Sequence, residues 1–216
     1  MIPWFYLFNT LLHLLFNTNL CIIIYLKVYS PDERISNILL KKQVPLRDVE
    51  TSLLLNFQEE LKLAYEDLQG NNSAMLDGTI LFFGYASFLF EKENGDTILC
   101  RLHIGDVVSI NLEEGENFAI IRAIFCHQQA NNLRLAFIIV DWFEDMNQKV
   151  LDCPVFRLRT ISNWRKIFSI NLVNAINIVH FVHICKGEEC AGGDHYFRNG
   201  LYMRNMFFSR PFNISY

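Results

Sequence analysis

The stretch VHFVHICKGEECAGGDH, residues 179–195, gathers three histidines and two of the chain's six cysteines into seventeen positions. Imidazole nitrogen and thiolate sulfur are the ligand atoms of tetrahedral zinc. If residues 178–185 form a strand, its side chains alternate, so His183 and Cys185 share a face while His180 points the other way. A turn at Gly187 returns Cys190, and AGGDH gives His195 a flexible path back. His183, Cys185, Cys190 and His195, spaced H-x-C-x4-C-x4-H, then make a candidate set for structural zinc. Two other readings stay open. Cys185 and Cys190 could form a disulfide in an oxidising compartment, or the cluster could be unrelated residues at the end of a buried strand.

A second set of chemically capable residues lies in IVDWFED, where Asp141, Glu144 and Asp145 offer carboxylates to a metal and His103 or His127 would serve as base. Adjacent Cys126 and His127 do not make a nucleophile and base, because neighbours on a strand point to opposite faces. The chain carries no G-x-S-x-G, P-loop or H-E-x-x-H. The expectation is therefore a protein that is not an enzyme; a membrane-anchored protein with a cytosolic β domain of unknown ligand is the first alternative and a metal-dependent hydrolase the second.

These residues sit in a chain of 216 residues, half of them apolar, which is enough for one ordinary domain with a real core plus extensions. A formal net charge of -4 leaves no basic field over the whole molecule to hold a phosphate backbone, so sequence-specific nucleic-acid binding is not expected. The cysteines at 21, 100, 126, 153, 185 and 190 are too dispersed for a dense disulfide framework.

Residues 2–29 carry one charge, Lys27, and are long enough to cross a bilayer, although Asn9, His13, Asn17 and Asn19 interrupt the run. If the segment inserts, the basic residues that follow it place the remainder in the cytosol. If it does not insert, it is an apolar leader packed on the globular part, and the expected location is nuclear. Residues 30–78 read as a linker and an amphipathic helix: Val49, Leu53, Phe57, Leu61, Ala64 and Leu68 form one stripe over residues 48–69. From residue 79 the pattern changes to short Phe-, Ile- and Val-rich runs between polar turns. Strands are expected at 79–90, 97–103, 106–112, 117–126, 134–143, 153–159, 178–185 and 201–208, with a hairpin at Asn94-Gly95 and a helical turn at 171–176.

The order of IGDVVSI (104–110), FAIIRAIF (118–125), AFIIVDWFED (136–145), CPVFRLRT (153–160) and INLVNAINIVHFVHIC (170–185) resembles the bromo-adjacent homology (BAH) domain over roughly residues 98–208. The resemblance implies a mainly β fold, a BAH-like barrel or sheet module, here with one amphipathic α-helix and an apolar N-terminal segment. It implies a protein partner, a histone tail or another chromatin protein. In relatives that read methyl-lysine, an aromatic cage uses the strand matching Trp142, with Glu144 and Asp145 as nearby carboxylates. Large aromatics also serve as core, and Trp142 and Phe143 would then pack on opposite faces of the sheet.

Overall fold

The computed structural model describes residues 25–69, 77–112, 115–160, 164–174, 179–184 and 200–206. Among these residues the protein is mainly β, with one α-helix and an open antiparallel sheet of eleven strands. The strands are β1 (Tyr25–Val28), β2 (Ile35–Val44), β3 (Gly78–Glu91), β4 (Thr97–His103), β5 (Val107–Leu112) and β6 (Gly115–Gln129). They continue with β7 (Arg134–Val150), β8 (Cys153–Arg159), β9 (Ile167–Ser169), β10 (Phe181–His183) and β11 (Leu201–Arg204). The main path runs β1-β2-β3-β6-β7-β8-β11-β10.

Long strands exchange partners along their length, and this bends the sheet. The first half of β3 pairs with β6 through Gly78–Phe83, and the second half pairs with β4 through Tyr85–Glu91. β6 pairs with β5 near its start and with β3 near its end, while β7 runs along its other side. β7 in turn takes β9 and then β8 on its far edge. A parallel bridge between Tyr29 and Leu135, with the Tyr29 N–H donating to the Arg134 carbonyl at 3.0 Å, ties the end of β1 to the start of β7.

Alternation along these strands sorts the apolar residues onto two faces. One face carries Leu40, Ala86, Phe88, Ile124, Ile138 and Trp142 in a single buried cluster. The opposite face carries two clusters. One, with Leu61, Tyr65, Phe82, Phe125 and Phe137, lies beneath the helix; the other holds Phe118, Phe143, Phe156, Phe181 and Tyr202. Full burial of such side chains stabilises by about 1.5–3 kcal/mol each.

The hairpin expected at Asn94-Gly95 joins β3 to β4, with Gly95 at φ +83° and the Lys92 N–H donating to the Asp96 carbonyl at 2.8 Å. The helix α1 spans Phe57–Gln69, shorter than the 48–69 stripe predicts. The preceding residues form 3-10 turns at Leu46–Asp48 and Thr51–Leu54, and Asn56, at φ +55°, stops the helix from extending backward. Leu53 is nevertheless buried in the cluster beneath α1, and Val49 packs against it. The turn expected at 171–176 is a 3-10 turn at Ile170–Leu172; residues 175–178 lie outside the described set.

Residues 25–28 of the expected apolar segment are strand β1, and β2 lies within the stretch read as linker. Residues 1–24 lie outside the described residues. Among the described residues no helix is long and apolar enough to cross a membrane.

Candidate functional site

The centre of β7 puts charge where its neighbours are apolar. Leu135, Phe137, Ile139, Asp141 and Phe143 share a face by alternation, and Asp141 falls between the cluster under α1 and the cluster around Phe143. A register shift between Ile121 and Ala123 in β6 places the extra residue, Arg122, beside it. Arg122 Nε stands 3.4 Å from Asp141 Oδ2, and Lys166 Nζ stands 3.8 Å from Oδ1. Arg122 Nη2 also reaches Glu50 Oε2 at 3.4 Å.

The Asp141 side chain is only 3% exposed. Burial pushes its carboxyl above the usual carboxylate range, and Arg122 and Lys166 oppose that push only in part. Glu50 is held below the usual range, first by the hydroxyl donated from Ser52 at 2.6 Å and then by Arg122. The Glu60 carboxylate accepts from the Lys166 N–H at 2.8 Å, and Lys166 Nζ donates to the Thr160 carbonyl at 3.1 Å. Asp67 pairs with Arg165 at 2.6 Å. Together these contacts fasten residues 165–166 to α1 and β7. Their chemistry is that of a largely buried ion-pair strut rather than of a base open to solvent.

Trp142 lies on the opposite face, 5% exposed in the large cluster. Its indole N–H donates to the Arg165 carbonyl at 2.6 Å, and its ring meets Phe168 edge to face at 5.3 Å. Phe143, on the other side of the sheet, stacks on Phe181 at 4.3 Å. Among the described residues Trp142 is thus packed as core, and no aromatic cage surrounds it. A methylated ammonium would first have to part the indole from Phe168 and Arg165. The two candidate carboxylates are also engaged. Glu144 Oε2 accepts from Arg159 Nε at 2.7 Å and pairs with Nη2 at 2.6 Å, and Asp145 Oδ1 accepts from the Asn147 N–H at 2.7 Å. Trp142→Phe is expected to lower stability by about 1 kcal/mol, the worth of one hydrogen bond, and to leave the fold intact by circular dichroism.

The acids and bases proposed for a hydrolase do not converge. Asp141 faces Arg122 and Lys166, while Glu144 and Asp145 are held by Arg159 and by the turn at Asn147. His103 is exposed, 3.3 Å from Asp106, and stacks on Tyr85. His127 is buried under α1 with Nδ1 2.7 Å from the Tyr65 hydroxyl, and burial pushes that hydroxyl up to about 12. Burial likewise pushes the thiols of Cys126 to about 12 and Cys100 to about 11, which keeps them protonated and weakly nucleophilic.

Of the zinc set, His183 lies in β10, half-buried and 5.1 Å from the Tyr202 ring. Phe181, two residues before it, is buried, and Val182 between them is exposed, as alternation requires. Cys185, Cys190 and His195 lie outside the described residues. Among the described residues no three His, Cys, Asp or Glu side chains gather to hold a metal ion.

Sequence reasoning missed Arg122, Lys166 and Glu50. A signal for the first was present: one arginine inside AIIRAIF and one aspartate inside IIVDWF are lone charges in apolar strands, and such charges are buried only when paired. Compared with known proteins, the chain matches no protein-family model and no curated protein sequence.

Proposed function

We propose that the chain is a non-enzymatic interaction module of BAH-like, barrel-forming architecture whose partner is a protein segment, with a histone tail or another chromatin protein as the class that the resemblance implies. The observation that carries this reading is the strand order. Four of the five segments that carry the resemblance, 104–110, 118–125, 136–145 and 153–160, fall on or lead into β5, β6, β7 and β8. These strands pair in sequence order, each antiparallel to the next. The Tyr29–Leu135 bridge draws β1 against β7, which supports a sheet curling toward a barrel.

Architecture alone does not assign a ligand, so the test is binding. The full chain is titrated against nucleosome core particles and against histone-tail peptides with and without methylated lysine. In this reading Trp142 supports the fold, so Trp142→Phe leaves any such binding in place.

A further inference from the structure

We propose that the Asn94-Gly95 step is a modification site, at which spontaneous deamidation converts the asparagine to isoaspartate or aspartate and loosens the β3–β4 hairpin as the protein ages. This goes beyond the interaction-module reading, because it concerns covalent chemistry at a turn outside the residues that carry the resemblance.

The reaction needs an amide side chain followed by a backbone N–H that nothing shields. Asn is followed by Gly at two places in the chain, Asn94-Gly95 and Asn199-Gly200, and every other Asn precedes a residue with a side chain. Glycine lacks the Cβ that would crowd the attack. Asn199 lies outside the described residues. Asn94 and Gly95 are exposed at the tip of the hairpin, as are Glu93 and Asp96, and a Cβ added at Gly95 would meet nothing within 4 Å. Water and base therefore reach the step.

The Gly95 nitrogen gives its proton to base and attacks Asn94 Cγ. The N–Cγ bond forms, the Cγ–Nδ2 bond breaks, and ammonia leaves with a proton returned by solvent, closing a cyclic succinimide. Water then opens the ring. Cleavage at Cγ yields aspartate, and cleavage at the main-chain carbonyl yields isoaspartate, whose backbone runs through Cγ and is longer by one carbon. Water replaces ammonia in the balance, and nothing is oxidised or reduced.

The native turn governs the rate. The Gly95 N–H donates to the Lys92 carbonyl at 2.9 Å, and the Lys92 N–H donates to the Asp96 carbonyl at 2.8 Å. Asp96 holds both ends of the Asn94 amide: Oδ1 accepts from the Asp96 N–H at 3.1 Å, and Nδ2 donates to Asp96 Oδ2 at 2.7 Å. Attack has to free the Gly95 N–H and turn Cγ toward the nitrogen, so the Asp96 carboxylate restrains the reaction. The restraint is local, because an exposed turn opens far more readily than the whole fold.

Conversion removes the donor that faced Asp96 and puts a carboxylate in its place, in a tip whose residues 91–96 already carry Glu91, Glu93 and Asp96 against one cation, Lys92. Like charges at such short range repel. The longer main chain of isoaspartate also no longer fits the two hydrogen bonds that close the turn. The first pairs below it are Glu91 with Thr97 and Phe90 with Ile98, and Phe90 belongs to the large buried cluster. Loosening therefore passes from a solvent-exposed turn to the rim of the core.

The test incubates the full chain in warm, mildly alkaline buffer and follows its tryptic peptides by mass spectrometry, with a protein isoaspartyl methyltransferase and a labelled methyl donor to mark isoaspartate. Trypsin separates the two steps, because Lys92 and Arg101 bound one while Arg198 and Arg204 bound the other. Peptide 93–101 from the folded chain should gain the mass of an amide-to-acid exchange and accept methyl groups. Asp96→Ala should speed this conversion about fivefold, the worth of one hydrogen bond, and in concentrated urea the variant and the wild type should convert alike. Amide hydrogen exchange at Phe90 and Ile98 should be faster in the converted protein, and less so in Asn94→Asp, which adds the charge without the extra backbone carbon. No conversion of peptide 93–101 in the folded chain, or an equal rate for Asp96→Ala, would overturn the site. Unchanged exchange at Phe90 and Ile98 in the isoaspartate form would overturn the loosening.

Discussion

Phe125→Ala is expected to lower the stability of the protein by about 3–5 kcal/mol. Phe125 is fully buried, with ring centroids 5.1 Å from Phe57 of α1, 5.7 Å from Phe82 and 5.4 Å from Phe137. It therefore joins the helix to three adjacent strands, and truncation removes both its own burial and the platform on which α1 rests. Surrounding strands are hydrogen-bonded on both sides and cannot close the gap, so the cavity persists. Urea unfolding followed by circular dichroism measures the loss, and the helical signal should fall first. Phe125→Leu, which keeps most of the volume, should cost much less. A loss below about 1 kcal/mol for the alanine variant would show that this cluster is not close-packed.

Asp141→Ala is expected to cost about 3 kcal/mol, the lower end of what breaking a buried pair costs, because Arg122 and Lys166 keep partial access to water. Replacing both partners, Arg122→Met with Asp141→Leu, should recover much of that loss, since an apolar pair needs no desolvation of charge. The dependence on pH supplies an independent check. The folded carboxyl of Asp141 titrates above its ordinary value of 3.8, so the native state holds this proton more tightly than the unfolded chain. Its contribution to stability is then fully present below about pH 3.8 and declines as pH rises through the raised folded value. Asp32 and Glu50, both held low, act in the opposite sense: their contributions are present above their unfolded values and lost on acidification. Asp141→Asn should remove only the first of these trends. Relative to that variant, wild-type stability should fall as pH rises from below 3.8, and an unchanged or rising difference would contradict the burial of this group.

Most strands from residue 78 onward were legible because alternation and turn residues agree there, whereas β9 was not expected and β7 runs on to Val150, past its expected end at 143. Phe88 and Phe90 point inward, Leu89 stays partly exposed between them, and Asn94-Gly95 supplies the positive φ for the hairpin. Strand β1 was not legible because it continues the apolar leader, and β2 because its pattern is broken from within. Asn37 at φ +52° and Lys42 at φ +58° interrupt the period of two, and the apolar residues before them merge with the leader. Asn56 hides the late start of the helix in the same way, since Val49 and Leu53 keep facing the core from the segment of 3-10 turns before it. At the site, sequence narrowed Trp142 to cage or core, and only the position of Arg165 and Phe168 distinguishes them. Arg122 depends on a bulge, which spacing alone does not reveal.

The most direct test of the interaction-module reading is fluorescence anisotropy of the labelled full chain titrated with nucleosome core particles at fixed salt, with the histone-tail peptides titrated in parallel. The account predicts saturable binding to the particle or to one peptide, retained by Trp142→Phe. A folded, monodisperse protein that binds neither the particle nor any of the peptides would contradict it.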